Sequence, residues 1–254
     1  MSAASLAIHQ FRYDQKQFWR NPASVFFTVA LPLIFLAIFN VIFGNDPIGN
    51  TGIKTTAYYV PGIVSLAVIS ATSQSLAINL VGDREGGILK RVRGTPLPPW
   101  AFIAGRVGNA LVVSALMVVL VSAIGKLVWD VPLPLDQLPA LLLALLVGAF
   151  SFCCIGFALA AVIPSEDAAP AITNAVILPL YFISGIFIPE NEIPAGVLNF
   201  ADIFPVRHFF EALLGVWGVS GDAGIQFDDL AIVLAWGLLA LLIALRAFRW
   251  EPRG

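Results

Sequence analysis

Along the chain, long uninterrupted apolar runs alternate with short polar breaks, and none of the runs shows the two-residue alternation of a barrel strand. Six runs, near 23–44, 59–81, 101–128, 138–163, 169–188 and 228–248, can cross a hydrocarbon core, because a core of roughly 30 Å takes about 20 helical residues. Each is expected to be a helix, since in lipid only a helix or a closed barrel satisfies every backbone group. Pro32, Pro61 and Pro179 fall in or near these runs and are expected to kink their helices, each removing a backbone donor. The pattern predicts an all-α polytopic membrane protein with six transmembrane helices, organised as a single transmembrane domain over residues 1–254. A cleaved signal peptide is not expected: the first apolar run is too long and starts too far in, and five more follow it.

Composition agrees with lipid as the main solvent. The 254 residues are 59% hydrophobic and 12% charged, with a mean hydropathy of +0.88, whereas soluble domains carry about a quarter charged residues. The net charge of -2 says little about partners and gives no reason to expect nucleic acid. Placement says more. Of the fourteen Lys and Arg residues, Arg12, Lys16, Arg20, Arg84, Lys90, Arg91, Arg93, Arg106, Arg246, Arg249 and Arg253 share one side if the spans are six, leaving Lys54, Lys126 and Arg207 for the other. The excess of basic residues puts both termini and the loops 82–100 and 164–168 in the cytoplasm. Cys153 and Cys154, adjacent in an apolar run, read as small core residues.

The segment before the first span is amphipathic. On a helix, His9, Arg12, Lys16 and Arg20 form one stripe and Ile8, Phe11, Phe18 and Trp19 gather opposite, the arrangement of an N-terminal interfacial helix floating in the headgroup zone.

The run GDREGGILKRVRGTPLPPW, residues 82–100, breaks the apolar pattern with six charges between Asp83 and Arg93. Holding them at the bilayer centre would cost roughly 15 to 20 kcal/mol at about 2.5 to 3.5 each, so the run is expected to protrude and to pack against no span. Ile88, Leu89 and Val92 share a narrow side with Glu85, while Arg84, Lys90, Arg91 and Arg93 spread around the rest, which predicts a short amphipathic helix. Gly86 and Gly87 weaken it, so packing against something is expected to hold it in place, and Pro96, Pro98 and Pro99 end it. The competing reading is a basic loop that only fixes topology.

Residues 189–226 are too long for a tight turn and too polar to span, yet apolar enough to dip into the outer leaflet as a re-entrant helical hairpin. Arg207 and Glu211, four apart, are expected to pair there, either lining an exit or merely locking the hairpin. His208 and Glu211 have helical spacing for two metal ligands but lack an evident third, so no metal is expected.

Two stretches carry a resemblance. REGGILKRVRGTPLP resembles the first cytoplasmic loop of the ABC-2 family of ATP-binding-cassette transporter permeases, of the form E-x-G-T-L-x-R-L-R-x-T-P-L. Glu85, Gly87, Leu89, Arg91, Arg93, Thr95, Pro96 and Leu97 match, and Ile88 stands where the family usually has Thr. LPLYFISGIFIPENEIPAGVLNFADIFPVRHFFEAL, residues 178–213, is similar to the family's fifth span, its F-x-S-G-x-F-x-P motif and its outer re-entrant segment. The flavour is that of drug-export permeases of the daunorubicin-resistance type. The resemblance implies that Asp83, Arg84, Glu85, Gly87, Ile88, Leu89, Lys90, Arg91, Val92, Arg93, Thr95 and Pro96 form a coupling helix seated in a groove of a separate ATPase subunit. It further implies a second permease copy or a related permease as partner, a bacterial inner-membrane location, and export of an amphipathic or hydrophobic drug, antibiotic or lipid.

Absences sharpen this. The chain contains no G-x-x-x-x-G-K-[ST], so no cofactor is expected on it, and ATP and Mg are expected on the partner ATPase. The alternatives, an ion- or proton-coupled carrier and an intramembrane enzyme, call for ionisable groups deep in the spans, whereas Asp46, Asp130, Glu166 and Asp167 sit at span ends. Within the spans, Ser65, Ser70, Thr72, Ser73, Gln74, Ser75, Asn79, Asn109, Thr173 and Asn174 either glue helices together or face a pathway.

Overall fold

The computed structural model describes residues 3–43, 54–95, 97–219 and 223–248. Asp46, Pro96, Arg249 and Arg253 lie outside the described residues, as does the side chain of Arg93. All six predicted spans carry helix. The chain runs through α1 (Ala3–Arg20), α2 (22–43), α3 (Thr55–Glu85), α4 (Ile88–Arg93), α5 (Pro99–Trp129), α6 (Leu138–Val162), α7 (Ala168–Ile183), α8 (Ala195–Ala201), α9 (Pro205–Val216) and α10 (Phe227–Ala247). By length and hydropathy α3, α5, α6 and α10 can each cross a membrane, while the apolar stretches of α2 and α7, Phe26–Ile42 and Ala168–Ile183, are shorter. The chain is a multi-pass membrane protein.

Two boundaries differ from expectation for local reasons. The span expected at 59–81 continues to Glu85, so Asp83 and Arg84 ride on the end of α3 instead of in a loop. The span expected at 169–188 stops at Ile183, because Gly185 adopts φ 92, a left-handed conformation that glycine accepts without a Cβ clash. Tyr58 Oη donates to Gly185 O at 2.8 Å and Tyr59 Oη to Phe187 O at 3.3 Å, which ties α3 to the strap 184–189.

Pro61 and Pro179 lie inside α3 and α7 as expected. Among the described residues, two π turns interrupt the helices, Phe26–Ala30 just before Pro32 and Ser70–Gln74 in mid-α3, where no proline stands. In each, an N–H reaches back five residues, from Leu31 to Phe26 and from Ser75 to Ser70.

Helix α3 is central: its most apolar stretch is 78% buried, against 28% for α10, most of whose surface is left for lipid. Phe209 and Phe210 of α9 are fully buried, and their rings meet Phe152 and Tyr58 edge-on at 5.3 Å between centroids. Cys153 and Cys154 are buried and unbridged, as expected of core residues. Small residues allow the backbones to close up, as helices in lipid require. A Cβ on Gly156 of α6 would stand 2.9 Å from Ser73 O and 3.0 Å from Thr72 O, at the π turn of α3. These are backbone atoms that cannot swing aside. Gly156→Ala is therefore expected to cost about 1 to 3 kcal/mol, read as a lower thermal-unfolding midpoint in detergent. An unchanged midpoint would mean that this contact is looser than the geometry indicates.

Candidate functional site

The basic end of the bundle gathers α1, α4, the ends of α3 and α5, and the connection 163–167. Helix α3 closes with Gly86 N–H donating to Gly82 O at 2.8 Å, and Gly87, at φ 69, reverses the chain into α4. A six-residue helix is too short to stand alone. One buried attachment of its own holds it, and two more fix the end of α3 from which it turns.

First, Leu89 is fully buried in a cluster with Leu76, Leu80, Phe102 and Ile163, and Val92 packs against the same cluster. Second, the Arg84 side chain is only 1% exposed. Its Nη1 donates to Ala160 O at 2.8 Å, its Nη2 to Ile163 O at 2.7 Å, and its Nε to Glu85 Oε1 at 2.7 Å. The last turn of α6 carries no basic residue, so Arg84 supplies both the missing donors and the positive charge that the C-terminal end of a helix favours. Third, Arg106 of α5 hydrogen-bonds Asp83 through Nη2 and faces Asp14 of α1 at 3.4 Å through Nη1, with all three side chains at most 6% exposed. Gln10 donates to Asp14 at 3.0 Å, and the Arg106 guanidinium lies 5.4 Å from the centre of the Phe102 ring.

These contacts correct the sequence reading of 82–100. The run packs against α3, α5 and α6; Asp83, Arg84 and Leu89 point into the permease, leaving Ile88, Lys90, Arg91 and Thr95 exposed. An apolar face expected to await an external groove is largely spent on the chain's own core, because the two-glycine turn folds α4 beneath the spans. The interfacial helix is corrected likewise. His9, Arg12, Lys16 and Arg20 are exposed as expected, but the apolar stripe splits. Phe18 is buried and Phe11 lies over Gly108 of α5, while Ile8 and Trp19 stay exposed. Instead of floating, α1 is clasped along α5 through Asp14. The signal for this was Arg106, a charge inside an apolar run that lipid would not tolerate unpartnered, together with Asp14, which lies among the basic residues of α1.

Burial pushes the Asp14 carboxyl up to about 6, with Arg106 opposing. The folded state therefore favours protonated Asp14. The stability it confers is complete below the ordinary carboxylate range, about pH 4, and is lost as pH rises through about 6. The thermal-unfolding midpoint in detergent is expected to fall between pH 5 and pH 7.5, by an amount equivalent to roughly 1 to 1.5 kcal/mol, and to fall less in Asp14→Asn. Equal slopes in the two proteins would remove Asp14 from the account.

At the opposite end, the hairpin forms α8 and α9. Arg207 meets Asp202 at 2.5 Å, Glu190 at 3.1 Å and Glu211 at 3.6 Å. The expected pair exists, but it is the longest arm of a four-residue cluster. His208 Nδ1 lies 2.7 Å from Asp229 Oδ1, at the start of α10, and Nε2 lies 2.8 Å from Asp202 O, so both ring nitrogens are engaged by protein. Because one guanidinium serves three carboxylates, exchanging charges between Arg207 and Glu211 moves a cation without rebuilding the centre. Arg207→Glu is expected to cost folded yield in detergent, and adding Glu211→Arg should restore little of it. Full recovery in the double variant would reduce the cluster to the simple pair.

A cavity of about 550 Å³ lies between α2, α3 and α7 and reaches the basic end. It divides the polar residues of the spans. Ser70, Gln74, Ser75, Asn79 and Asn174 line it, whereas Ser65, Thr72 and Thr173 bond back to carbonyls four residues earlier in their own helices. Across it Gln74 Nε2 donates to Asn174 Oδ1 at 3.3 Å, and the Ser70 and Tyr181 hydroxyls lie 3.3 Å apart.

A helical membrane bundle with a half-open cavity and a docked basic helix at one end is an arrangement that suits a transport permease. The comparisons agree. A family model described as ABC-2 type transporter matches residues 9–217, and the chain belongs to that family. YvfS of Bacillus subtilis (strain 168), named as a transport permease, is 22% identical over 232 residues, covering 91% of this chain and 92% of its own. The transport permease ycf38 of Pyropia yezoensis is 27% identical over 240 residues, with 90% and 80% covered. The inner membrane transport permease YadH of Escherichia coli (strain K12) is 23% identical over 220 residues, with 85% and 82% covered.

Proposed function

We propose that this chain is the membrane permease subunit of an ATP-driven exporter, operating in the cell membrane of a bacterium with both termini in the cytoplasm. A separate ATPase subunit binds ATP and Mg and seats on the basic end, and a second permease copy or a related permease completes the pathway. Amphipathic or hydrophobic substrates move outward.

The rooting of α4 carries this reading. A helix whose only task were to hold positive charge inside would not need three buried attachments. Here Leu89 roots α4 in the core, and the end of α3 from which it turns is held to α6 by Arg84 and to α5 and α1 by the Asp83–Arg106–Asp14 bridge. A force on the exposed side of α4 therefore reaches four other helices through ion pairs and packed side chains.

The coupling segment divides accordingly. Ile88, Lys90, Arg91 and Thr95, with Glu85 at their edge, are the contact surface for the ATPase, whereas Asp83, Arg84, Leu89 and Val92 are its roots and Gly87 its hinge. Arg93 and Pro96 belong to the same segment. Exchanging Lys90 and Arg91 together for Glu is expected to leave thermal stability in detergent within about 0.5 kcal/mol of wild type. Co-purification with the ATPase and ATP-driven export in vesicles should each drop about tenfold or more. Leu89→Asp is expected to do the reverse, lowering folded yield before any coupling can be measured. Normal ATPase association and export in the Lys90/Arg91 variant would overturn the coupling role.

A further inference from the structure

We infer that the cavity between α2, α3 and α7 binds an amphipathic organic cation, its apolar body against the apolar half of the wall and its positive group at the mouth beside Glu166. The inference rests on the export reading above and names the substrate class of that pathway.

The cavity has a graded wall. Leu66, Ser70, Gln74, Ile78 and Gly82 of α3 all line it at four-residue steps, a stripe about 24 Å long at 1.5 Å per residue. The half of the wall farther from the basic end is apolar and aromatic, with Leu31, Phe35, Leu66, Leu178 and Phe187, and a hydroxyl pair, Ser70 with Tyr181. Its mouth is lined by side-chain amides, among them Asn21, Asn79 and Asn174, and by two carboxylates, Asp83 and Glu166. A volume of about 550 Å³ is that of a site for one small organic molecule.

The sign of charge at the mouth selects among such molecules. Arg12, Lys16, Arg20, Arg84, Lys90, Arg91 and Arg106 all belong to this end of the bundle, yet no Lys, Arg or His is among the described lining residues. Asp83 is committed to Arg106, while the exposed Glu166 side chain lies over Gly82, where an added Cβ would be 3.4 Å from its Oε1. Only a residue without a side chain leaves the carboxylate this close to the cavity wall. The amides accept and donate alike and so do not discriminate charge; the Glu166 carboxylate does. It attracts an ammonium or phosphonium and repels a carboxylate or the phosphate of a phospholipid headgroup, and the aromatic faces farther from the basic end suit a delocalised cation.

Tetraphenylphosphonium and tetraphenylborate test this directly, having one shape and opposite charge. Equilibrium dialysis against the purified full chain in detergent, without the ATPase, is expected to show at least tenfold tighter binding of the phosphonium. Glu166→Gln should weaken the phosphonium roughly fivefold, as loss of one partly exposed ion pair does, and leave the borate unchanged or tighter. Leu178→Trp, which fills the apolar half from a half-exposed position, should weaken both. Equal affinity for the two ions, or unchanged selectivity in Glu166→Gln, would overturn the inference. So would native mass spectrometry showing a co-purified phospholipid that saturating phosphonium does not displace. Because no ATPase is present, failure here is separate from failure of the Lys90/Arg91 experiment, which tests coupling and not the cavity.

Discussion

The fold at the basic end depends on one constraint: two arginines are buried where water is scarce, and each needs carbonyls or carboxylates beside its charge. Removing one partner from a buried ion pair typically costs about 3 to 5 kcal/mol, more than the pair itself contributes, because the remaining charge is stranded. Arg84 meets the constraint with the carbonyls that end α6, and Arg106 with Asp83 and Asp14. Each solution joins helices distant in sequence. The arginines thus fix where α1, α3, α5 and α6 stand relative to one another, and α4 inherits its position from them. The hairpin end meets the same constraint differently, with three carboxylates around Arg207 and Asp229 against His208.

Between these charged ends the spans associate without water to drive them together, so close backbone approach has to do the work. Gly156 of α6 against the π turn of α3, and Gly237 of α10 against Ser151, are such approaches; an added Cβ at Gly237 would come 2.5 Å from Ser151 Oγ. The buried hydroxyls of Ser65, Thr72 and Thr173 bond within their own helices and leave those surfaces free to pack.

The helical positions were legible in the sequence because span length is set by the bilayer and read from uninterrupted apolar runs. Charges within the last turn of a helix were not. Asp83 and Arg84 look like loop residues by composition, and nothing local reveals that Arg84 answers the uncapped carbonyls of α6, nearly eighty residues later. The same limit applied to Leu89. Periodicity gave its apolar face correctly but not the surface that face meets, since an amphipathic helix reads alike whether it docks on its own chain or on another. Arg106 was the overlooked clue: a lone cation inside an apolar run requires carboxylates nearby, and Asp83 and Asp14, far apart in sequence, supply them.

Helix α3 joins the two proposed activities in one element. Its stripe from Leu66 to Gly82 forms a cavity wall, and the next two residues, Asp83 and Arg84, anchor the segment on which the ATPase is proposed to act. Movement of α4 therefore cannot leave the cavity wall in place unless α3 yields somewhere between. The π turn Ser70–Gln74 lies within that stretch, and its i to i−5 bonding is a register that one shifted hydrogen bond converts to ordinary α-helix. Such a conversion rotates the residues on one side of the turn relative to those on the other, by about the 100° that one helical residue spans. Ser70 and Gln74 would then leave Tyr181 and Asn174, their hydrogen-bonding partners on α7. The two polar contacts that cross the cavity thus meet α3 at its one stretch of π register, where its backbone bonding departs from that of the helix on either side.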